Sequence, residues 1–173
     1  MKTLTDILNE FLSLGKIEEG KIDFHKEAFD LFEFIETIIY EMSILCKPGQ
    51  DLVHEHKGDK QLYSDSNLLK HVLVNLVSNA IKFSPENTSI KITTEIDQTK
   101  ASITIIDQGI GIPVEDQVHL FERFFRASNV TNIQGTGLGL HIVGRYVDLM
   151  NGNIEYKSEL ELGSQFTITL PNQ

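Results

Sequence analysis

The stretch from Asn67 to Phe83 carries two different stripes at once, and only a helix presents both. Leu68, Leu69, Val72, Leu73, Leu76, Val77, Ala80 and Ile81 recur at helical spacing and make an apolar face that must be buried. Beside them run His71, Asn75, Asn79 and Lys82, which at about 100° per residue fall within roughly 80° of one another. Asp65 or Ser66 supplies a cap, and Pro85 stops the helix. Asn is a poor helix former, so two on one face call for a reason. Two carboxamides and an ammonium aimed at one place suit a magnesium–phosphate site, because amide oxygens are hard ligands and Lys82 meets phosphate charge. A solvated polar face is the plainer alternative.

Such a helix needs a partner surface. Ser89–Ile96 and Ala101–Ile106 alternate apolar and polar residues, as paired strands do. Shorter strands are expected within 21–30, at Leu52–His56, at Gln61–Tyr63, near 153–158 and near 165–170. Asp30 and Glu33 form a capping box before Leu31, Ile35, Ile38, Ile39, Met42 and Leu45, a helix that should stop at Pro48-Gly49. A short helix is expected after the turn 109–113, running through Phe121, and another over 138–150. Between Thr3 and Glu19, Leu4, Ile7, Phe11 and Leu14 form a seam that Leu8 and Leu12 widen. That helix either pairs in a bundle or dimer or lies as an ordinary amphipathic helix on the core. The order of elements predicts an α+β fold, with helices on one face of a mixed sheet.

At 173 residues, with 40% hydrophobic and 23% charged residues, the chain has enough to bury one core and is not disordered. Its 15 basic against 25 acidic residues leave a net charge of -10, which disfavours a nucleic-acid partner. Cys46 is the sole cysteine, so no disulfide scaffold forms within the chain and a reducing compartment fits. No apolar run approaches the roughly 18–20 residues that span a bilayer, and no leader pattern opens the chain. A soluble intracellular domain is the expectation.

Three further segments carry chemistry. In Ile103-Thr-Ile-Ile-Asp107-Gln-Gly109-Ile-Gly111, a strand ends in a carboxylate before two glycines. A carboxylate beside an apolar slot accepts a hydrogen bond from an exocyclic amine such as adenine's, although an ordinary Asp-Gly turn reads the same way. Gly135-Thr136-Gly137-Leu138-Gly139-Leu140 opens a helix with backbone N–H groups suited to phosphate. It is neither the common phosphate loop nor the dinucleotide fingerprint. The polar, aperiodic stretch 127–134 before it is expected to be a mobile lid. In Leu120-Phe121-Glu122-Arg123-Phe124-Phe125-Arg126 the aromatics follow helical spacing and would suit a core, and either arginine could reach a phosphate.

In order and spacing, these four segments resemble the ATP-binding catalytic domain of bacterial two-component sensor histidine kinases, in the superfamily shared with gyrase and the ninety-kilodalton heat-shock chaperone. The matching boxes are His71–Phe83 (asparagine), Asp107–Gly111 (first glycine), Phe121–Arg126 (phenylalanine) and Gly135–Leu140 (second glycine), within a likeness over roughly 27–171. The resemblance implies a two-layer α/β sandwich and the cofactors ATP and Mg2+. It implies that Asn79 binds the metal, that Asn75 and Lys82 assist at the phosphates, and that Asp107 binds the adenine amine in a pocket shaped by Gly109 and Gly111. It implies a phosphate contact from Arg126, a less defined one from Arg123, and a lid loop of Gly135, Thr136, Gly137, Leu138 and Gly139.

The superfamily's ATPases carry a Glu one turn before the magnesium Asn. Asn75 stands there, and a carboxamide cannot accept a proton at neutral pH, so the resemblance favours phosphoryl transfer over hydrolysis. None of His25, His54, His56, His71, His119 and His141 stands in the family's acceptor setting. His54 and His56 share a strand face, but two ligands make a poor metal site, and His119 and His141 read as ordinary helix residues. Leu8–Gly20 resembles the end of the second dimerisation-hairpin helix. The implied organisation is that helix over 1–20, a connector over 21–26 and the ATP-binding domain over 27–173. The implied partners are a histidine-bearing hairpin of the same parent, a response regulator and a second parent copy, with the domain cytoplasmic. A regulatory nucleotide-binding module and an anti-sigma-type serine kinase are the alternatives.

Overall fold

A computed structural model describes residues 4–130 and 135–172. The elements run α1 (Leu4–Glu18), β1 (Glu27–Asp30), α2 (Leu31–Met42), β2 (Asp51–Gly58), β3 (Gln61–Ser64), α3 (Ser66–Phe83), β4 (Ser89–Ile96), β5 (Lys100–Ile106), α4 (Val114–Gln117), α5 (Gly139–Leu149), β6 (Asn153–Glu159) and β7 (Gly163–Pro171). β2, β4, β5, β7 and β6 form one five-stranded sheet in that order, with β2 parallel to β4 and the other pairs antiparallel. β1 and β3 pair separately as a two-stranded ribbon.

The core lies between this sheet and α2, α3 and α5. Ile92, Ile105, Phe166 and Tyr156 stand in cross-strand register. The first three are buried, as are Leu69, Leu73 and Val77 of α3 and Ile142, Val143 and Tyr146 of α5. The fold is thus the expected α+β arrangement, a mixed sheet with helices packed on it.

Local chemistry sets the helix ends. Asp30 caps α2 by accepting from the Glu33 N–H at 3.0 Å. Asp65 caps α3 by accepting from the Leu68 N–H at 3.0 Å, and its other carboxylate oxygen accepts from the His25 N–H at 2.8 Å. One buried carboxylate therefore joins the 21–26 segment to α3. At the far end, Lys47 Nζ donates to the carbonyls of Lys82 (2.8 Å) and Ser84 (2.6 Å). The Gln50 amide donates to those of Ile81, Ser84 and Pro85. In the last turn the Ile81 and Lys82 carbonyls are thus satisfied by one carboxamide and one ammonium, and those of Ala80 and Phe83 by the Ser84 and Ile110 N–H groups.

The chain departs from expectation after the glycine turn. The helix after the glycine turn covers only Val114–Gln117, not the stretch through Phe121. Past it the chain closes by three-residue turns, such as Glu122 N–H to His119 C=O at 3.0 Å and Phe125 N–H to Glu122 C=O at 3.3 Å. His119 accordingly lies in a turn against Glu122, and Phe124 takes a positive φ of 63° and points outward instead of joining the core. In the 127–134 stretch, Ser128–Val130 forms one 3-10 turn, and residues 131–134 lie outside the described residues.

On α1, Leu14 and Ile17 are buried, while Leu4, Leu8, Phe11 and Leu12 are exposed. The helix lies beside the glycine-rich loop through Phe11 against Phe124 (centroids 6.2 Å apart), Glu18 with Arg123, and Glu10 accepting from the Thr136 hydroxyl. No helix of the described residues is long and apolar enough to cross a membrane.

Candidate functional site

A cavity with about 1060 Å³ of empty space, part of it open to solvent, lies between α3, the end of β5 and the start of α5. Asn75, Asn79 and Lys82 line it from one face of α3, Asp107 and Gly111 from the glycine turn, Arg126 from the aromatic box, and Gly135, Thr136, Gly137 and Gly139 from the second glycine segment. Residues more than sixty positions apart in sequence thus share one wall. Gly109 and Leu138 do not face the cavity, and Leu138 is fully buried in the core.

Each side chain is held by identifiable contacts. Asn75 donates from Nδ2 to the His71 carbonyl at 2.9 Å, and a β carbon on Gly139 would stand 3.2 Å from its Oδ1. A glycine opening α5 therefore lets that helix approach the carboxamide. A β carbon on Gly135 would lie 3.4 Å from Lys82 Nζ and 3.9 Å from Arg126, so backbone, ammonium and guanidinium converge. Arg126 donates from Nη2 to the Val130 carbonyl at 2.7 Å. Arg123 faces the other way, toward Glu18.

Asp107 Oδ1 accepts from the Gly109 N–H at 2.9 Å and the Ser164 N–H at 3.1 Å. Burial pushes its carboxyl above the ordinary value, against the downward pull of those two N–H groups. The apolar side chains of Ile105, Ile110, Ile112 and Phe166 line the same cavity. A half-buried carboxylate beside apolar walls can accept a hydrogen bond from a donor on a flat, otherwise apolar group.

His71 belongs to the α3 stripe but not to the cavity. Its ring meets Tyr146 edge-on at 5.7 Å, and burial, helped by Lys70, pushes its imidazole below the ordinary value. His54 and His56 lie on β2 away from the cavity, each within hydrogen-bonding distance of Thr94 Oγ1, at 2.9 and 2.7 Å. Among the described residues, no three His, Cys, Asp or Glu side chains gather as a metal cluster. A divalent ion here would need oxygens from a ligand as well as from the protein, and Asn79, on the wall beside Lys82, offers the amide oxygen such a shared shell uses.

Sequence reasoning missed Asn129, Ser164 and Phe166 on the wall, and Lys47 and Gln50 behind it. None stands in a pattern that marks it as a site residue. β7 brings Ser164 and Phe166 in through its pairing with β5, and the turn at Lys47–Gln50 meets α3 only in the folded chain.

A family model described as histidine kinase-, DNA gyrase B-, and HSP90-like ATPase matches residues 64–173. The autoinducer 2 sensor kinase/phosphatase LuxQ of Vibrio harveyi is 35% identical over 180 residues, covering 97% of this chain and 21% of that protein. The chain thus spans about a fifth of that relative's length. Among solved structures, the Acinetobacter baumannii histidine kinase AdeS superposes with a TM-score of 0.79 at 26% identity, over 98% of this chain and 79% of that one. The mycobacterial sensor histidine kinase MprB gives 0.76 at 28% identity, over 85% and 99%.

Proposed function

The chain belongs to the histidine kinase-, DNA gyrase B- and HSP90-like ATPase family and its relatives are sensor histidine kinases, and from that premise we propose that it binds Mg-ATP and passes the γ-phosphoryl group to a histidine on a dimerisation hairpin. One observation carries the reading: Asn75, Asn79, Lys82, Asp107, Arg126, Gly135, Thr136, Gly137 and Gly139 share one cavity wall. A half-buried carboxylate stands at one part of it, and an ammonium and a guanidinium beside glycine backbone stand at another. That division matches a molecule with an amine-bearing base and a polyanionic tail.

Asp107 accepts from the base amine, in a slot of isoleucines and Phe166. Lys82 and Arg126 meet phosphate oxygens, Arg126 with a guanidinium fork suited to them. Gly135, Thr136, Gly137 and Gly139 bring backbone toward the same oxygens, with Gly109 setting the Asp107 carboxylate and the Leu138 side chain anchoring the loop in the core. The oxygen of Asn79 would hold a magnesium ion, which when bound would supply charge neutralisation at the triphosphate. The acceptor imidazole attacks the γ-phosphorus, the bond to the β–γ bridging oxygen breaks, and ADP leaves with that electron pair. Such transfer rests on positioning and charge stabilisation. Asn75, whose amide donates to the helix backbone, offers no base for water.

The exposed leucines of α1 and its likeness to a hairpin end support a histidine-bearing hairpin of the parent and a paired parent copy as partners, and the sensor-kinase relatives support a response regulator. In the test, the chain is mixed with a separate hairpin bearing the acceptor histidine and γ-labelled ATP. Acid-labile, base-stable label on the hairpin is expected, at a low rate because the two parts are untethered. Label stable to acid on a serine-bearing partner would instead favour the serine-kinase alternative. Binding without any transfer would favour the regulatory module, and rapid release of free phosphate would return the ATPase reading.

A further inference from the structure

Asn129 Oδ1 is one of two buried side-chain polar atoms among the described residues with no hydrogen-bond partner. The other, the Ser84 hydroxyl, lies at the end of α3, whereas Asn129 stands on the cavity wall. Its orientation is chemically determined. Nδ2 donates to the Gly111 carbonyl at 3.0 Å, and turning the amide over would set oxygen against oxygen.

The backbone that carries it is braced. Asp116 Oδ2 accepts from the Ser128 N–H at 2.9 Å and from its hydroxyl at 2.8 Å, and the Val130 N–H donates to the Ala127 carbonyl at 3.1 Å. A fixed, buried acceptor without a partner is costly, and a ligand that brings a donor removes the cost.

We propose that Asn129 reads the sugar of the bound nucleotide, its Oδ1 accepting a hydrogen bond from a ribose hydroxyl. The assignment rests on the nucleotide reading above. Phosphate oxygens of ATP only accept, so the donors on the nucleotide are the base amine and the two ribose hydroxyls. The amine is taken by Asp107. Asn129 is tied to the Gly111 end of the glycine turn and lies in the segment between Arg126 and Gly135. It therefore stands between the base-side and phosphate-side walls, where the ribose lies in a nucleotide that spans them.

Calorimetry on the whole chain and on Asn129→Ala, each with Mg-ATP and Mg-2′,3′-dideoxyATP, tests this. The unsubstituted chain should bind the dideoxy nucleotide about three- to tenfold more weakly, the worth of one neutral hydrogen bond. Asn129→Ala should bind both nucleotides alike, near the weaker value. A substitution that merely loosens the Gly111 tie would lower both affinities and keep their ratio, and that outcome overturns the assignment. The unsubstituted chain decides even if the variant does not fold, since equal affinity for the two nucleotides overturns it as well. Failure to bind ATP at all would sink the nucleotide reading itself, and the sugar contact with it.

Discussion

The backbone N–H of Gly109 donates to Asp107 Oδ1 at 2.9 Å, and a β carbon on Gly109 would stand 2.9 Å from that same oxygen and 2.7 Å from the Phe83 carbonyl oxygen. Hydrogen bond and close approach are one feature: the carboxylate sits where it does because residue 109 has no side chain.

Gly109→Ala should therefore push Asp107 out of place and press on the end of α3. Overpacking of this kind costs about 1–3 kcal/mol, which denaturant unfolding would show. ATP affinity should fall about tenfold with it, as expected for loss of a bond to a charged group. Unchanged ATP affinity in a destabilised variant would separate Gly109 from the base contact.

Asp107→Asn should weaken ATP binding by about 10–150-fold, since an amide N–H then faces the base amine. Stability should move the other way. Burial raises this carboxyl above its ordinary value of 3.8, so the folded state holds a proton that the unfolded state has lost. Unfolding free energy then falls as pH rises from that value through the raised one. The Asn variant escapes this loss, so it should be the more stable protein at neutral pH, with the gap closing in acid. Melting curves at several pH values that stay parallel would contradict the buried-charge account.

Asn79→Ala should lower ATP affinity more in Mg2+ than in EDTA. Even groups that only support a metal ligand are commonly worth about ten- to a hundredfold in metal affinity, and a direct ligand no less. Calorimetry in both buffers reads the difference. Equal losses would mean the carboxamide meets phosphate or base without the ion.

Gly137 has a φ of 77°, and a β carbon there would lie 2.6 Å from the Phe124 carbonyl carbon. Gly137→Ala should cost about 1–3 kcal/mol from left-handed strain alone and displace the second glycine segment. ATP binding should drop at least about tenfold, the effect of losing a charge-assisted phosphate contact. A variant that melts and binds like the parent would show that the loop tolerates another backbone path.

Gly144 is the contrast. It lies inside α5 at an ordinary helical φ, and an added β carbon would meet only Phe121, at 3.6 Å. Gly144→Ala should stabilise by about 0.5–1 kcal/mol, the helix-propensity gain, and leave ATP affinity unchanged. Destabilisation would mean that the packing of Phe121 on α5 is tighter than ordinary contact.

Much of this was legible in the residue order because it depends on local periodicity and capping. The α3 stripes, the Asp65 cap and the alternating strands β4 and β5 each follow from groups a few residues apart, where backbone geometry alone decides which side chains share a face. Asn75, Asn79 and Lys82 were visible for that reason, and so were the glycines before and after the aromatic box. Tertiary structure alone decided which strand lies beside which. It set β2 parallel to β4 and put β7 against β5, and so carried Ser164 and Phe166 to Asp107. It turned Phe124 outward and Arg123 toward α1, although helical spacing suggested a core and a phosphate contact. It also brought Lys47 and Gln50 under the end of α3, and Asn129 over Gly111. These are contacts between segments far apart in the chain. Their free energy depends on burial and hydrogen-bond satisfaction that no local window contains, so periodicity carries no trace of them.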